Sequence, residues 1–126
     1  MKTFLSVVMS VLVSVNAYAN SNWIYLITSN SGNVFFIEKN SIQKSGDSIT
    51  FWLRRNFEKR DEYGNLSSKS QITINCRTRE IIRRYITMHD DINNMGKLTY
   101  NFDPKDSWDP IAPDTVNWSF LEYVCK

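Results

Sequence analysis

The chain has 126 residues, 42% of them hydrophobic and 13% aromatic, with 15 Lys and Arg against 13 Asp and Glu. That length builds one domain with a real core, and not two. A net charge of +2 makes no electrostatic case for nucleic acid or for an anionic membrane as partner.

Residues 1–19 read MKTFLSVVMSVLVSVNAYA, with a basic Lys2, an apolar run from Phe4 to Val15, and small residues at Ala17 and Ala19. This is the pattern of a secretory signal peptide with an A-x-A cleavage site. The apolar run is too short and too broken by serine to span a bilayer. Removal of the first 19 of 126 residues leaves 107, expected to form one domain over residues 20–126 with 14 basic and 13 acidic side chains. An exported chain folds in an oxidising compartment, so its two cysteines, Cys76 and the penultimate Cys125, are expected to pair. Closing a loop of about 50 residues in this way is worth ~4 kcal/mol in the chain-entropy model. There is no CxxC, hence no redox motif and no thiolate zinc site. No cysteine follows the cleavage site at Asn20, so the mature protein is expected to be periplasmic or extracellular without a lipid anchor.

Trp23–Thr28 is a short aromatic and β-branched run and reads as a strand. The turn Asn30-Ser31-Gly32-Asn33 leads to Val34–Ile37 as its hairpin partner. Asn40–Asp47 is polar, with Ile42 its only apolar anchor and Gly46 a turn residue. Ile49–Phe57 is a third strand, with Phe51 and Leu53 on one face and Trp52 and Arg54 on the other. Glu58–Asn65 is a charged hairpin tip. Ser68–Cys76 alternates, placing Ser70, Ile72, Ile74 and Cys76 on one face. Arg79–Met88 also carries a helical stripe, but its isoleucine, tyrosine and threonine favour a strand. Regular alternation there would put Ile82, Ile86 and Met88 on one face and Ile81, Arg83, Tyr85 and Thr87 on the other.

Asp90–Gly96 reads as a turn, Lys97–Phe102 as an edge strand, and Asp103–Pro113, which holds all three prolines, as irregular connection. After Pro113 the period changes. Asp114 can cap a helix starting at Thr115, with Val116, Phe120, Leu121, Val124 and Cys125 on one face. The expected fold is therefore α+β: an antiparallel sheet of about five to six strands with one C-terminal helix stapled to it by the disulfide.

Catalytic patterns are weak. His89 is the only histidine, and a turn histidine is the better reading of it. The Asp90–Gly96 segment lacks the alternating ligands and terminal glutamate of a calcium loop. No G-x-S-x-G elbow is present, and Glu58, Asp61 and Glu62 lie at a solvated tip. No cofactor and no metal are expected. Arginines are the more informative set: Arg54, Arg55, Arg77, Arg79, Arg83 and Arg84 fall in the central strands and their loops. Strand pairing could gather Arg55, Arg79 and Arg84 into a patch for a protein or glycan partner, with Trp52 as an aromatic contact. The plainer reading is a solvated sheet face balanced by Glu58, Asp61, Glu62 and Glu80.

The order of short features resembles the surface-adhesin protein E family of Gram-negative bacteria. It runs from Trp23-Ile24-Tyr25 through Ser41-Ile42, Gly46 and Phe51-Trp52 to Ile74-Asn75-Cys76 with Arg77 and Arg79, then Trp108-Asp109-Pro110-Ile111, Pro113 and Val124-Cys125. The resemblance implies an antiparallel sheet and a C-terminal helix joined by one disulfide. It further implies a non-enzymatic binding protein, host matrix and plasma proteins as partners, homodimerisation through the sheet, and a binding segment at about Leu66–Arg84. Two departures stand out. The adhesin of that name is a lipoprotein, whereas this chain has no lipid-bearing cysteine, and Tyr63-Gly64-Asn65 is not basic. The alternative is a periplasmic structural or accessory protein with a bacterial partner and no host ligand.

Overall fold

In the computed structural model, which describes residues 22–102 and 107–126, the alternating runs form eight strands among the described residues. These are β1 (Trp23–Thr28), β2 (Val34–Glu38), β3 (Gln43–Ser45), β4 (Ser48–Asn56), β5 (Ser67–Asn75), β6 (Glu80–His89), β7 (Leu98–Phe102) and β8 (Asp109–Pro110). One helix, α1 (Val116–Val124), closes the chain. The expected signal peptide, residues 1–19, lies outside the described residues.

All pairings are antiparallel, in the order β1-β2-β4-β5-β6-β7. This six-strand path matches the expected sheet. The two additions are short: β3 pairs with the start of β4, and β8 with the start of β6. Strands β2 and β3 share one edge of β4 and are separated by a 3-10 turn over Lys39–Ser41. At that gap the Ser41 hydroxyl accepts from Trp52 N–H at 2.9 Å and donates to the Glu38 carbonyl at 2.6 Å. A side chain thus stands in for a missing backbone partner, as an interior strand requires. The β3–β4 connection is Gly46-Asp47, and Gly46 has a φ of 61°, which glycine adopts without the cost a Cβ imposes.

One face of the sheet carries Phe35, Ile37, Ile49, Phe51, Leu53, Ile72, Ile74 and Ile81. Helix α1 covers it with Phe120, Leu121 and Val124, its buried residues. Phe120 is completely buried, its ring 5.6 Å from Phe35 and 6.4 Å from Phe51. Burying each such side chain is worth ~1.5–3 kcal/mol. Cys125 caps the helix and is bonded to Cys76 just beyond β5, with a Cα–Cα distance of 5.7 Å. The staple joins helix to sheet as expected.

Two local expectations need correction. The N-cap is Thr115, one residue later than expected: its side chain accepts from Trp118 N–H, while Asp114 takes a φ of 65° in the preceding turn. Strand β6 is also not regular. Gln71 pairs with Tyr85 but Ile72 with Arg83, so Arg84 is an extra residue in a β-bulge. The bulge reverses the facing of everything after it. Ile81 and Arg83 therefore share the helix-side face with Ile86 and Met88, and Ile82 shares the opposite face with Tyr85 and Thr87.

Candidate functional site

The sheet has two faces, and α1 packs on one of them. Pairing register places Trp23, Tyr25, Phe36, Trp52, Arg54, Lys69, Gln71 and Tyr85 on the other. One row runs Tyr25, Phe36, Arg54, Lys69, Thr87 across five strands. The next runs Trp23, Glu38, Trp52, Gln71, Tyr85, with Glu38 following Ile37, the partner of Leu53.

Cations and rings interleave here. The Arg54 guanidinium carbon lies 4.1 Å from the Trp23 ring centre and 5.9 Å from that of Phe36. Lys69 Nζ is 4.9 Å from Trp52 and 5.9 Å from Trp23. Tyr25 meets Phe36 edge-on at 6.1 Å. Each contact of this kind contributes ~0.5–2 kcal/mol, depending on how far water is excluded. Arg54 Nε also donates to Asn94 Oδ1 at 3.1 Å, and burial draws the guanidinium below its ordinary pKa. The rings and cations are thus held in place, while Tyr25 at 56% and Tyr85 at 49% exposure offer their surfaces to solvent.

One end of this face is braced by the turn after β6. The Ser67 hydroxyl donates to the Asp91 carbonyl and accepts from Asn94 N–H, and Asn56 and Asn93 exchange two hydrogen bonds of 2.9 and 2.8 Å. Asp90 Oδ1 accepts from Lys97 N–H and Asp91 caps the turn. These carboxylates therefore build the turn. His89 Nε2 bonds the Thr87 hydroxyl at 2.9 Å, its Nδ1 is buried without a partner among the described residues, and burial together with Lys69 holds its pKa below the ordinary value.

The arginines singled out from the sequence do not converge. Arg55 lies on the helix-side face of β4, between the core residue Phe35 on β2 and Ser68 on β5. Arg79 sits in the β5–β6 turn with a φ of 60°, its guanidinium 5.5 Å from the Trp118 ring and its carbonyl accepting from Ile111 N–H. Ser68 and Asn75, the positions on β5 nearest to each, are seven residues apart, roughly 23 Å at ~3.3 Å per residue. Arg84 is exposed at the bulge. Trp52 is on the open face, as expected. Reading the residues missed the cluster of Trp23, Phe36, Arg54 and Lys69. The signal was present in their parity, since each occupies the strand position opposite to the core residues.

The arrangement is that of a disulfide-stapled α+β domain with one covered and one open sheet face. The family model for surface-adhesin protein E matches residues 23–126, and the chain belongs to that family. Among solved structures, crystal form II of Haemophilus influenzae protein E is similar with a TM-score of 0.64 at 16% identity, covering 95% of this chain and 96% of that one. Another H. influenzae protein E structure gives 0.57 at 15% identity, with 93% and 90% covered. Protein E from non-typeable H. influenzae gives 0.55 at 16%, with 94% and 82% covered. At such identities the likeness establishes the fold. No curated protein matches the chain.

Proposed function

We propose that this protein is an exported, non-enzymatic binding module that engages a protein partner through the open face of its sheet. The observation that carries this is the aromatic and cationic surface of Trp23, Tyr25, Trp52, Arg54, Lys69 and Tyr85, left uncovered by the helix. Trp, Tyr and Arg are the residues that dominate protein interfaces, because they bury much area at little entropic cost and still carry a polar handle. Membership of an adhesin family supports the same reading. No described helix is long and apolar enough to cross a membrane. Self-pairing through the sheet belongs to the proposal too, with β1 and β7 as the outer strands of the path.

The test uses the mature chain, residues 20–126, against immobilised host matrix and plasma proteins and against a Gram-negative periplasmic extract. Changing Tyr25, Trp52 and Tyr85 together to serine should weaken host-protein binding at least ~10-fold with circular dichroism unchanged. Equal binding by parent and variant would overturn the assignment of the face. Capture of periplasmic proteins alone would replace adhesion by an accessory role.

A further inference from the structure

The helix-side face is not covered along its whole length. On this face Arg55, Ser68 and Met88 form the row beyond Leu53, Ser70 and Ile86 lie level with Leu53, and Arg83 lies beside Ile72; these six residues line a cavity of about 110 Å³. Arg55 and Arg83 are both partly buried there, and burial first, then the neighbouring Arg83, hold the Arg55 guanidinium below its ordinary pKa. Arg55 Nε is shut off from solvent and has no hydrogen-bond partner among the described residues. Its guanidinium stacks on Phe57 at 4.5 Å, which holds the fork in place without accepting from Nε. The carboxylates whose fields reach these groups are Asp61 on Arg55 and Asp109 on Arg83, and neither forms an ion pair with them among the described residues. Ser68 and Ser70 are buried beside the two cations, yet no hydrogen bond ties their side chains among the described residues.

Two like charges taken partly out of water cost stability, and an unmet buried donor costs more. A site of this kind is complementary to an anion. We infer that the cavity between Arg55 and Arg83 is a recognition pocket for one carboxylate group, the acidic side chain of a protein partner. Size supports an end group and excludes a whole ligand: at ~30 Å³ per water, 110 Å³ holds about four waters, whereas pockets enclosing complete small molecules run to ~300 Å³ and above. Shape and chemistry point to a carboxylate. Guanidinium forks match its planar pair of oxygens, the serine hydroxyls can donate to the remaining lone pairs, and Ile86 and Met88 form an apolar wall for a methylene stem. The bulge at Arg84 makes the site, because without it Arg83 and Ile86 would face opposite ways.

This pocket lies on the face opposite the aromatic surface, so its test is independent of that proposal. The mature chain is titrated at low salt with N-acetylglutamate N-methylamide, followed by amide chemical shifts of Ser68 and Ser70 and by thermal melting. The isosteric N-acetylglutamine N-methylamide and sodium sulfate are the comparison arms. The glutamate probe should bind at least ~10-fold more tightly than the glutamine one, shift both serine amides and raise Tm. Arg83→Met should abolish both effects while itself melting no lower than the parent without ligand, since it removes an uncompensated charge. Ser70→Ala, a smaller change, should weaken the probe ~3-fold or more and serves if Arg83→Met does not fold. Equal binding of the two amides, unaltered binding by both variants, or sulfate binding where the glutamate probe fails would each overturn the inference.

Discussion

Phe120 shows what one side chain decides in this domain. It has no exposed surface and lies against Phe35 from β2 and Phe51 from β4, so it joins the helix to two strands at once. Phe120→Ala should cost ~3–5 kcal/mol, read as a lower urea midpoint with the disulfide intact. His89 gives the pH dependence. Burial and Lys69 outweigh Asp90, so the folded ring takes up a proton less readily than the unfolded one, whose ordinary value is 6.5. Its contribution is therefore fully present above pH 6.5 and is lost as pH falls through the lower folded-state value. Urea midpoints of the parent should drop between about pH 7.5 and about pH 5, and His89→Gln should drop less. Equal slopes would show that His89 is not the group responsible.

At the scale of elements, the helix and the bulge matter most. Leu121 is buried against the sheet, and Leu121→Asp would place a charge there with no partner. Severe loss of stability is expected, and an unchanged melting curve would mean that α1 does not dock through this face. Deletion of Arg84 tests the bulge. It would restore regular alternation with Tyr85, Thr87 and His89 still on the open face and Ile86 and Met88 still on the helix side, because Arg84 is the unpaired residue. The shortened chain should therefore still fold and bury Ile86 on the helix side, and Arg84→Ala, which keeps the extra residue, should melt within a few degrees of the parent; collapse of the deletion variant would show that the bulge itself is required.

For the whole molecule, the disulfide closes 49 residues and holds the last turn of the helix to the end of β5. Cys125→Ser should lower stability by ~2–5 kcal/mol, and the helix should be the first element to lose protection in hydrogen exchange. Simultaneous protection loss across β4, β5 and β6 would instead mean that helix and sheet unfold as one unit. Binding through the open face should weaken as salt rises past physiological strength, because Arg54 and Lys69 are part of it. The effect should be moderate, since the chain's net charge is only +2.

Much of this architecture is local and therefore legible in the residues. Alternation over Trp23–Thr28, Ile49–Phe57 and Ser68–Cys76, the change of period after Pro113, and the presence of just two cysteines lead to the sheet, the helix and the staple. The site is another matter. Arg55, Arg79 and Arg84 look like one group along the chain, yet pairing sends them to a cavity, a helix-side turn and a bulge. Trp23, Phe36, Arg54 and Lys69 look scattered, yet register stacks them. Strand propensity and periodicity act over a few neighbours and can be read residue by residue. Register, and the single extra residue that turns Arg83 toward Arg55, depend on how β4, β5 and β6 pack against one another, and only the folded sheet decides that.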